Sequence, residues 1–310
     1  MRIIFFGSDD FAAVNLQQLL ASQHEVVACV TGPDKAQGRG MKLAGSPIKQ
    51  LALDHAIPCL QPASLKEAAI VDALKAFNAD IFVVVAYGRL LTQQILDIPK
   101  IFCVNVHGSL LPKYRGAAPV NWAVLNGDKE TGVTVQKMAL ALDAGDIIAQ
   151  EQMTIGDRED AAQLRERMAL VGAKLLVRTL DAIAGKAYSL MLQDTAQMTY
   201  ASKLTKEMGK IDWTKSAQMI DCQIRGLKPW PGAVTTFNGK MLKIISAHLV
   251  KAGIQTGRPG SILSADNQGL LVATGNGHLM VTDVHPEAGK AMTASSFMAG
   301  YKIKQGNLLE

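Results

Sequence analysis

Three side chains with complementary chemistry stand close together near the middle of the sequence. Asn105 and His107 are two residues apart in Val104-Asn105-Val106-His107-Gly108-Ser109-Leu110-Leu111-Pro112, and Asp143 follows in Leu142-Asp143-Ala144-Gly145-Asp146. Ile101–Val106 reads as a strand, so side chains two apart leave the same face of its sheet. Gly108 ends that strand and opens room for a ligand. An amide donor, an imidazole that titrates near neutrality and a carboxylate in a tight turn suit acyl transfer without a metal. Each also has a structural alternative. A histidine at a strand end can be a satisfied core group, Asn105 could cap a turn, and Asp before Ala-Gly is common for backbone reasons alone.

The elements that must hold these residues can be read along the chain. Arg2–Phe6 is a short apolar strand that meets Gly7, then Ser8-Asp9-Asp10 opens a capped helix. Glu25–Thr31, Asp80–Ala86 and Ile101–Val106 are further buried runs, and Thr131–Lys137 and Asp146–Gln150 have strand character. Continuous β-branched runs separated by helical stretches predict parallel strands covered on both faces, a doubly wound α/β sheet. Ligands of such sheets bind beyond the C-terminal ends of the strands, where Asn105 and His107 fall. Glu159–Ile183 has the spacing of a long amphipathic helix. From Lys210 onward the texture changes to one helix, Thr214–Arg225, and short strands at Ala233–Phe237, Met241–Ala247, Gly269–Ala273 and His278–Val284. Such strands suggest a small barrel. The domains expected are therefore 1–189, a linker over 190–207, and 208–310.

Several function classes are excluded. The first turn, Gly7-Ser8-Asp9-Asp10-Phe11, has one glycine where a dinucleotide fingerprint needs three, and its two carboxylates would repel a pyrophosphate. Cys29, Cys59, Cys103 and Cys222 have no ligand-like spacing, so neither a zinc site nor a disulfide framework is expected. The longest apolar run, Ile81–Tyr87, is far short of the ~20 residues of a membrane span, and the N-terminus is unlike a signal peptide. The expectation is a cytoplasmic monomer. Residues 1–203 carry 20 Lys+Arg and 20 Asp+Glu, whereas 204–310 carry 12 and 7, so the whole net charge of +5 lies in the last third. That partition suggests a polyanionic partner, although a merely soluble surface would also account for it.

Taken jointly, Asn-x-His-x-Ser-Leu-Leu-Pro, Tyr114-Arg115-Gly116 and Leu142-Asp143-x-Gly145-Asp146 resemble the signature of the 10-formyltetrahydrofolate-dependent formyltransferase family. Further matches are Arg2–Ser8, Gly38-Arg39-Gly40-Met41-Lys42-Leu43, Ser46–Lys49, Ala86-Tyr87-Gly88, Ile211-Asp212-Trp213 and Lys228-Pro229-Trp230-Pro231-Gly232. These favour the members whose acceptor is the initiator methionyl-tRNA. The resemblance runs over nearly the whole chain. It implies a Rossmann-like catalytic domain and a smaller OB-like β-barrel that binds tRNA.

By the same resemblance Asn105, His107 and Asp143 are the catalytic trio. Ser109, Leu110, Leu111 and Pro112, with Tyr87 and Gly88, would line the folate pocket, although the leucines could be plain core. The basic loop over 34–49 would meet the tRNA through Arg39 and Lys42, although it could also be a solvated connector. Lys206 and Lys210 are the first of several cations, with Arg225, Lys228, Lys240 and Lys243, that could track phosphates. The co-substrate implied is 10-formyltetrahydrofolate, with no metal. A folate-dependent formyltransferase acting on an amino-sugar nucleotide is the alternative, since those enzymes also carry a C-terminal extension. A non-catalytic RNA-binding protein on a reused scaffold is disfavoured by the intact trio.

Overall fold

The computed structural model describes residues 1–37, 42–250 and 257–310. They fall into two compact units, one of 1–119, 130–154 and 165–201, the other of 120–129, 155–164 and 202–310.

In the first unit β1 (Arg2–Gly7), β2 (Glu25–Val30), β3 (Cys59–Leu60), β4 (Ile81–Val85) and β5 (Phe102–His107) run parallel. β6 (Glu130–Lys137) and β7 (Ile147–Thr154) extend the sheet antiparallel, in the order β7-β6-β5-β4-β1-β2-β3. β1 lies near the middle, and Ile3, Ile4, Phe5 and Phe6 have no exposed surface. Each such side chain contributes about 1.5–3 kcal/mol of burial. The sheet is covered on both faces, as the unbroken apolar runs predict. Ile4, Phe6, Phe82 and Val84 pack with α3 (Ala68–Ala76) through Val71 and Leu74. On α4 (Ala161–Ala184) a Cβ at Gly172 would stand 3.2 Å from Val106, 3.3 Å from Val133 and 3.8 Å from Asn15 of α1 (Asp10–Leu20), so the glycine lets the helix pack close. Asp9 caps α1 by accepting the Ala12 N–H at 3.1 Å, and Ser46 caps α2 (Pro47–Asp54) by accepting the Lys49 N–H at 3.1 Å. At Gly7 a Cβ would stand 2.6 Å from that of Ala12, so only glycine lets α1 follow β1 this closely.

The second unit is built on antiparallel strands β8 (Ala233–Phe237), β9 (Lys240–Val250), β10 (Ile262–Asp266), β11 (Gly269–Ala273) and β12 (His278–Pro286), ordered β8-β9-β12-β11-β10. Their alternating apolar residues surround a core with Ile220 and Ile224 of α5 (Ala217–Gly226) and Phe297 of α6 (Ala294–Tyr301). Ser216 caps α5 through the Met219 N–H. Buried Trp213 donates its indole N–H to Thr235 at 2.9 Å, so the core carries no orphaned donor there.

Residues 190–201, read from the sequence as part of a linker, belong to the first unit. Met191 bridges Ile147, and Tyr200–Ala201 pair in parallel with Arg115–Gly116. Among the described residues no helix is long and apolar enough to cross a membrane.

Cys29 in β2 and Cys103 in β5 are buried, and burial pushes the Cys29 thiol up to about 12 and the Cys103 thiol up as well. Only the thiolate alkylates. Iodoacetamide at pH 8 should therefore leave both unmodified in the native protein over a time that fully modifies the urea-unfolded chain. Peptide mass spectrometry reads this, and native modification of both would mean that the two strands open.

Candidate active site

β5 lies between β4 and β6, and its register decides what Asn105 touches. Asn105 stands opposite Val84 on one side and Gln136 on the other. Its Nδ2 donates to the Val84 carbonyl at 3.0 Å, and its Oδ1 accepts from Gln136 Nε2 at 3.2 Å. His107, two residues on, is opposite Thr134 and buried. Its Nε2 lies 2.9 Å from the Tyr114 carbonyl oxygen. A carbonyl can only accept, so this contact requires the proton on Nε2 and leaves Nδ1 towards Asp143. Nδ1 is 3.6 Å from Asp143 Oδ1, within ion-pair reach but longer than a hydrogen bond.

Asp143 is held by backbone geometry. Its φ is +50°, the left-handed region that Asp tolerates better than most residues. Oδ2 accepts the Gly116 N–H at 2.8 Å, and Oδ1 accepts from Gln136 Nε2 at 3.2 Å. The His107 and Asp143 side chains are 7% and 12% exposed, so their interaction is only weakly screened. Tyr114 also has positive φ, +59°, which is uncommon for a bulky residue. The Tyr114 N–H donates to Thr199 Oγ1 at 2.8 Å. The three residues of the sequence-derived trio thus meet at the C-terminal end of β5.

The other expected site residues are placed unevenly. Ser109 and Leu111 are buried. The Ser109 hydroxyl donates to the Lys113 carbonyl, its own carbonyl accepts from Thr134, and Leu111 receives Gln150 on its carbonyl oxygen. Leu110 and Pro112 keep half-buried apolar surface. Tyr87 packs inside the core with its ring edge-on to Phe6 at 5.5 Å, whereas Gly88 (φ +75°) has open space where a side chain would stand. Lys206 and Lys210 are exposed. Arg39 lies outside the described residues, and Lys42 is described only as backbone of the strand Lys42–Ala44. Two cations read as phosphate contacts are already engaged. Arg225 forms a largely buried pair with Asp221 at 2.8 Å, and Lys228 pairs with Asp160 at 3.1 Å.

The sequence reading missed Gln136 and Gln193 and gave Arg115 no role. Gln136 is 1% exposed and joins Asn105 to Asp143. Its signal was available, because Thr134 and Gln136 alternate with Val133 and Val135, placing two polar side chains on one face of a buried strand. Gln193 stood in a segment taken for a linker. Among the described residues, no three His, Cys, Asp or Glu side chains cluster in a way that could hold a metal ion.

A mostly parallel sheet with an amide, imidazole and carboxylate at one strand end, followed by an antiparallel β unit, agrees with comparisons to known proteins. The family described as "Formyl transferase" matches residues 1–180, and "Formyl transferase, C-terminal domain" matches 203–302. The chain belongs to the formyl transferase family. A relative from Moorella thermoacetica, named methionyl-tRNA formyltransferase, is 45% identical over 309 residues, covering 100% of this chain and 99% of its own. One from Citrifermentans bemidjiense with the same name is 43% identical over 309 residues, with 100% and 96% covered. Among solved structures, WlaRD, a sugar 3N-formyl transferase, has a TM-score of 0.68 at 20% identity, over 93% of this chain and 98% of that one. HypX from Aquifex aeolicus, solved with tetrahydrofolic acid, has a TM-score of 0.67 at 15% identity. That likeness covers 97% of this chain but 47% of HypX, so the chain spans about half the length of that protein.

A Cβ on Gly145 would collide with the Lys137 carbonyl, so the turn that presents Asp143 accepts only glycine there. Gly145→Ala should destabilise the protein by about 1–3 kcal/mol, read as a lower urea midpoint. An unchanged midpoint would mean that the turn moves away at no cost.

Proposed function

We propose that this protein transfers the formyl group of 10-formyltetrahydrofolate to the α-amino group of an initiator methionyl-tRNA. The observation that carries this reading is the meeting of Asn105, His107 and Asp143 at the end of β5. It occurs in a chain that aligns over its full length with relatives named for that reaction. The residues present suit a folate: Leu110 and Pro112 offer apolar surface to a pterin, and Gly88 leaves the space beyond β4 clear.

The amine attacks the formyl carbon, negative charge gathers on the formyl oxygen, and N10 of the folate departs with a proton. Asn105 Nδ2 has two hydrogens and gives one to Val84; the second stabilises the oxyanion. Removing such a donor costs about 2.7–4 kcal/mol. His107 keeps the Nε2 proton on Tyr114, so Nδ1 is the ring atom open to the amine proton. Asp143 Oδ1 stands 3.6 Å from that atom and would orient the ring. Lys206, Lys210 and Lys240, among the exposed cations of the second unit, would meet the tRNA backbone without reading its sequence.

Incubation with 10-formyltetrahydrofolate and either methionyl-tRNA or an amino-sugar nucleotide, scored for the formylated product, tests the assignment. Formylation of the sugar alone would overturn it. Asn105→Ala should lower the single-turnover rate by about 100- to 1,000-fold and leave methionyl-tRNA affinity nearly unchanged; a near-normal rate would remove Asn105 from the chemistry. Arg39→Ala should damage kcat/KM for methionyl-tRNA more than overall tRNA affinity. An arginine between two glycines carries a high ordering cost by its sequence alone, and only a specific contact recovers that cost. A kcat/KM within about twofold of the parent would make the loop a solvated connector.

A further inference from the structure

Asn105 can act as a donor only if its amide faces the right way, because Oδ1 and Nδ2 have nearly the same shape and opposite hydrogen-bonding character. We infer that Arg115, Gln193 and Gln136 set that orientation, and that Gln136 is a positioning residue for both Asn105 and Asp143. The inference rests on the proposed transfer reaction for its activity readout.

The direction of the chain of contacts starts at a group that cannot accept. Arg115 is 6% exposed, and its Nε and Nη2 donate to Gln193 Oε1 at 3.0 and 2.7 Å. Gln193 Oε1 is therefore fixed towards the guanidinium and its Nε2 away from it. That Nε2 donates to the carbonyls of Asp143 at 2.9 Å and Gly145 at 2.7 Å, and lies 3.4 Å from Gln136 Oε1. Those two carbonyls take both Nε2 hydrogens; Gln136 turns its oxygen towards Gln193, and the acceptor-only Asp143 carboxylate fixes the Gln136 Nε2 on the site. There it gives its two hydrogens to Asn105 Oδ1 and Asp143 Oδ1, each at 3.2 Å. With Oδ1 so engaged, Asn105 directs Nδ2 to Val84 and to the reaction space. Reversing any one amide would set NH₂ against NH₂ or oxygen against oxygen in a buried place and leave donors and acceptors unmet.

The role is therefore to hold geometry, and the test must separate that from packing. Gln136→Leu removes both donors at similar volume. It should lower single-turnover formylation by up to about 100-fold, the cost of a small misplacement, with KM for both substrates within about threefold. Gln136→Glu keeps the shape and presents oxygen to Asn105 Oδ1 and Asp143 Oδ1 unless it is protonated. Its rate relative to the parent should accordingly recover as pH falls from 8 to 6, a response that lost packing would not produce. This second variant carries the test should the leucine variant fail to fold. A substrate-free readout comes from the Gln136 side-chain amide in ¹⁵N-labelled protein, assigned by its loss in Gln136→Glu. Its protons should exchange slowly with deuterium and lose that protection in Asp143→Ala. If protection is present but the parent chain does not formylate methionyl-tRNA, the functional reading fails and the clamp stands. If Gln136→Glu shows a pH-independent rate within about threefold of the parent, or the amide exchanges freely, the clamp is wrong.

Discussion

A guanidinium can donate hydrogen bonds and never accept them, and at Arg115 that asymmetry is used inside the protein. Burying the charge costs several kcal/mol unless its donors find acceptors. Here they find the Gln193 oxygen twice and the Met198 sulfur. Gln136 is held from both sides, its oxygen towards the Gln193 amide and its Nε2 on the acceptor-only Asp143 carboxylate. Asn105, with its oxygen on Gln136 and its Nδ2 on Val84, then has one satisfied arrangement. Neutral amides hold this arrangement without a proton moving, so the Asn105 amide presents the same atoms at every working pH.

The backbone supports this polarity through register. Asn105 and Gln136 face each other because β5 and β6 are antiparallel neighbours, while Val84 reaches Asn105 from a parallel neighbour. A slip of one residue between β5 and β6 would turn Gln136 to the opposite face and bring Val135 or Lys137 opposite Asn105. Thr134 guards against that slip from within, since its hydroxyl donates to Ser109 and accepts from Leu111 and Gln150. The Ser-Leu-Leu-Pro segment, read as a ligand wall, is thus partly a brace for the sheet.

The fold was legible where one physical signal dominated. Arg2–Phe6, Asp80–Ala86 and Ile101–Val106 are buried on both faces, so their apolar runs are continuous and their strands fall within a residue or so of the expected bounds. The direction of β6 and β7 was not legible, because side-chain pattern says nothing of strand polarity. Ile262–Asp266 went unread since only its first two residues are strongly apolar. In the site, Asn105 and His107 could be found because two residues on one strand share a face. Gln136 and Gln193 could not be joined to them, since their link depends on a register across β6 and on a segment with no periodicity of its own.

The second unit takes in 120–129 and 155–164, two stretches that the sequence places among the strands of the first. Arg225 donates to the Glu159 carbonyl at 2.9 Å, and Lys228 ends on Asp160 at 3.1 Å. Its stability is therefore written in three separated parts of the chain. A chimaera spliced at residue 207 would transplant the basic module without the short excursions that complete it. Recombination at that point would carry a folding penalty. Junctions that also move 120–129 and 155–164 would avoid it.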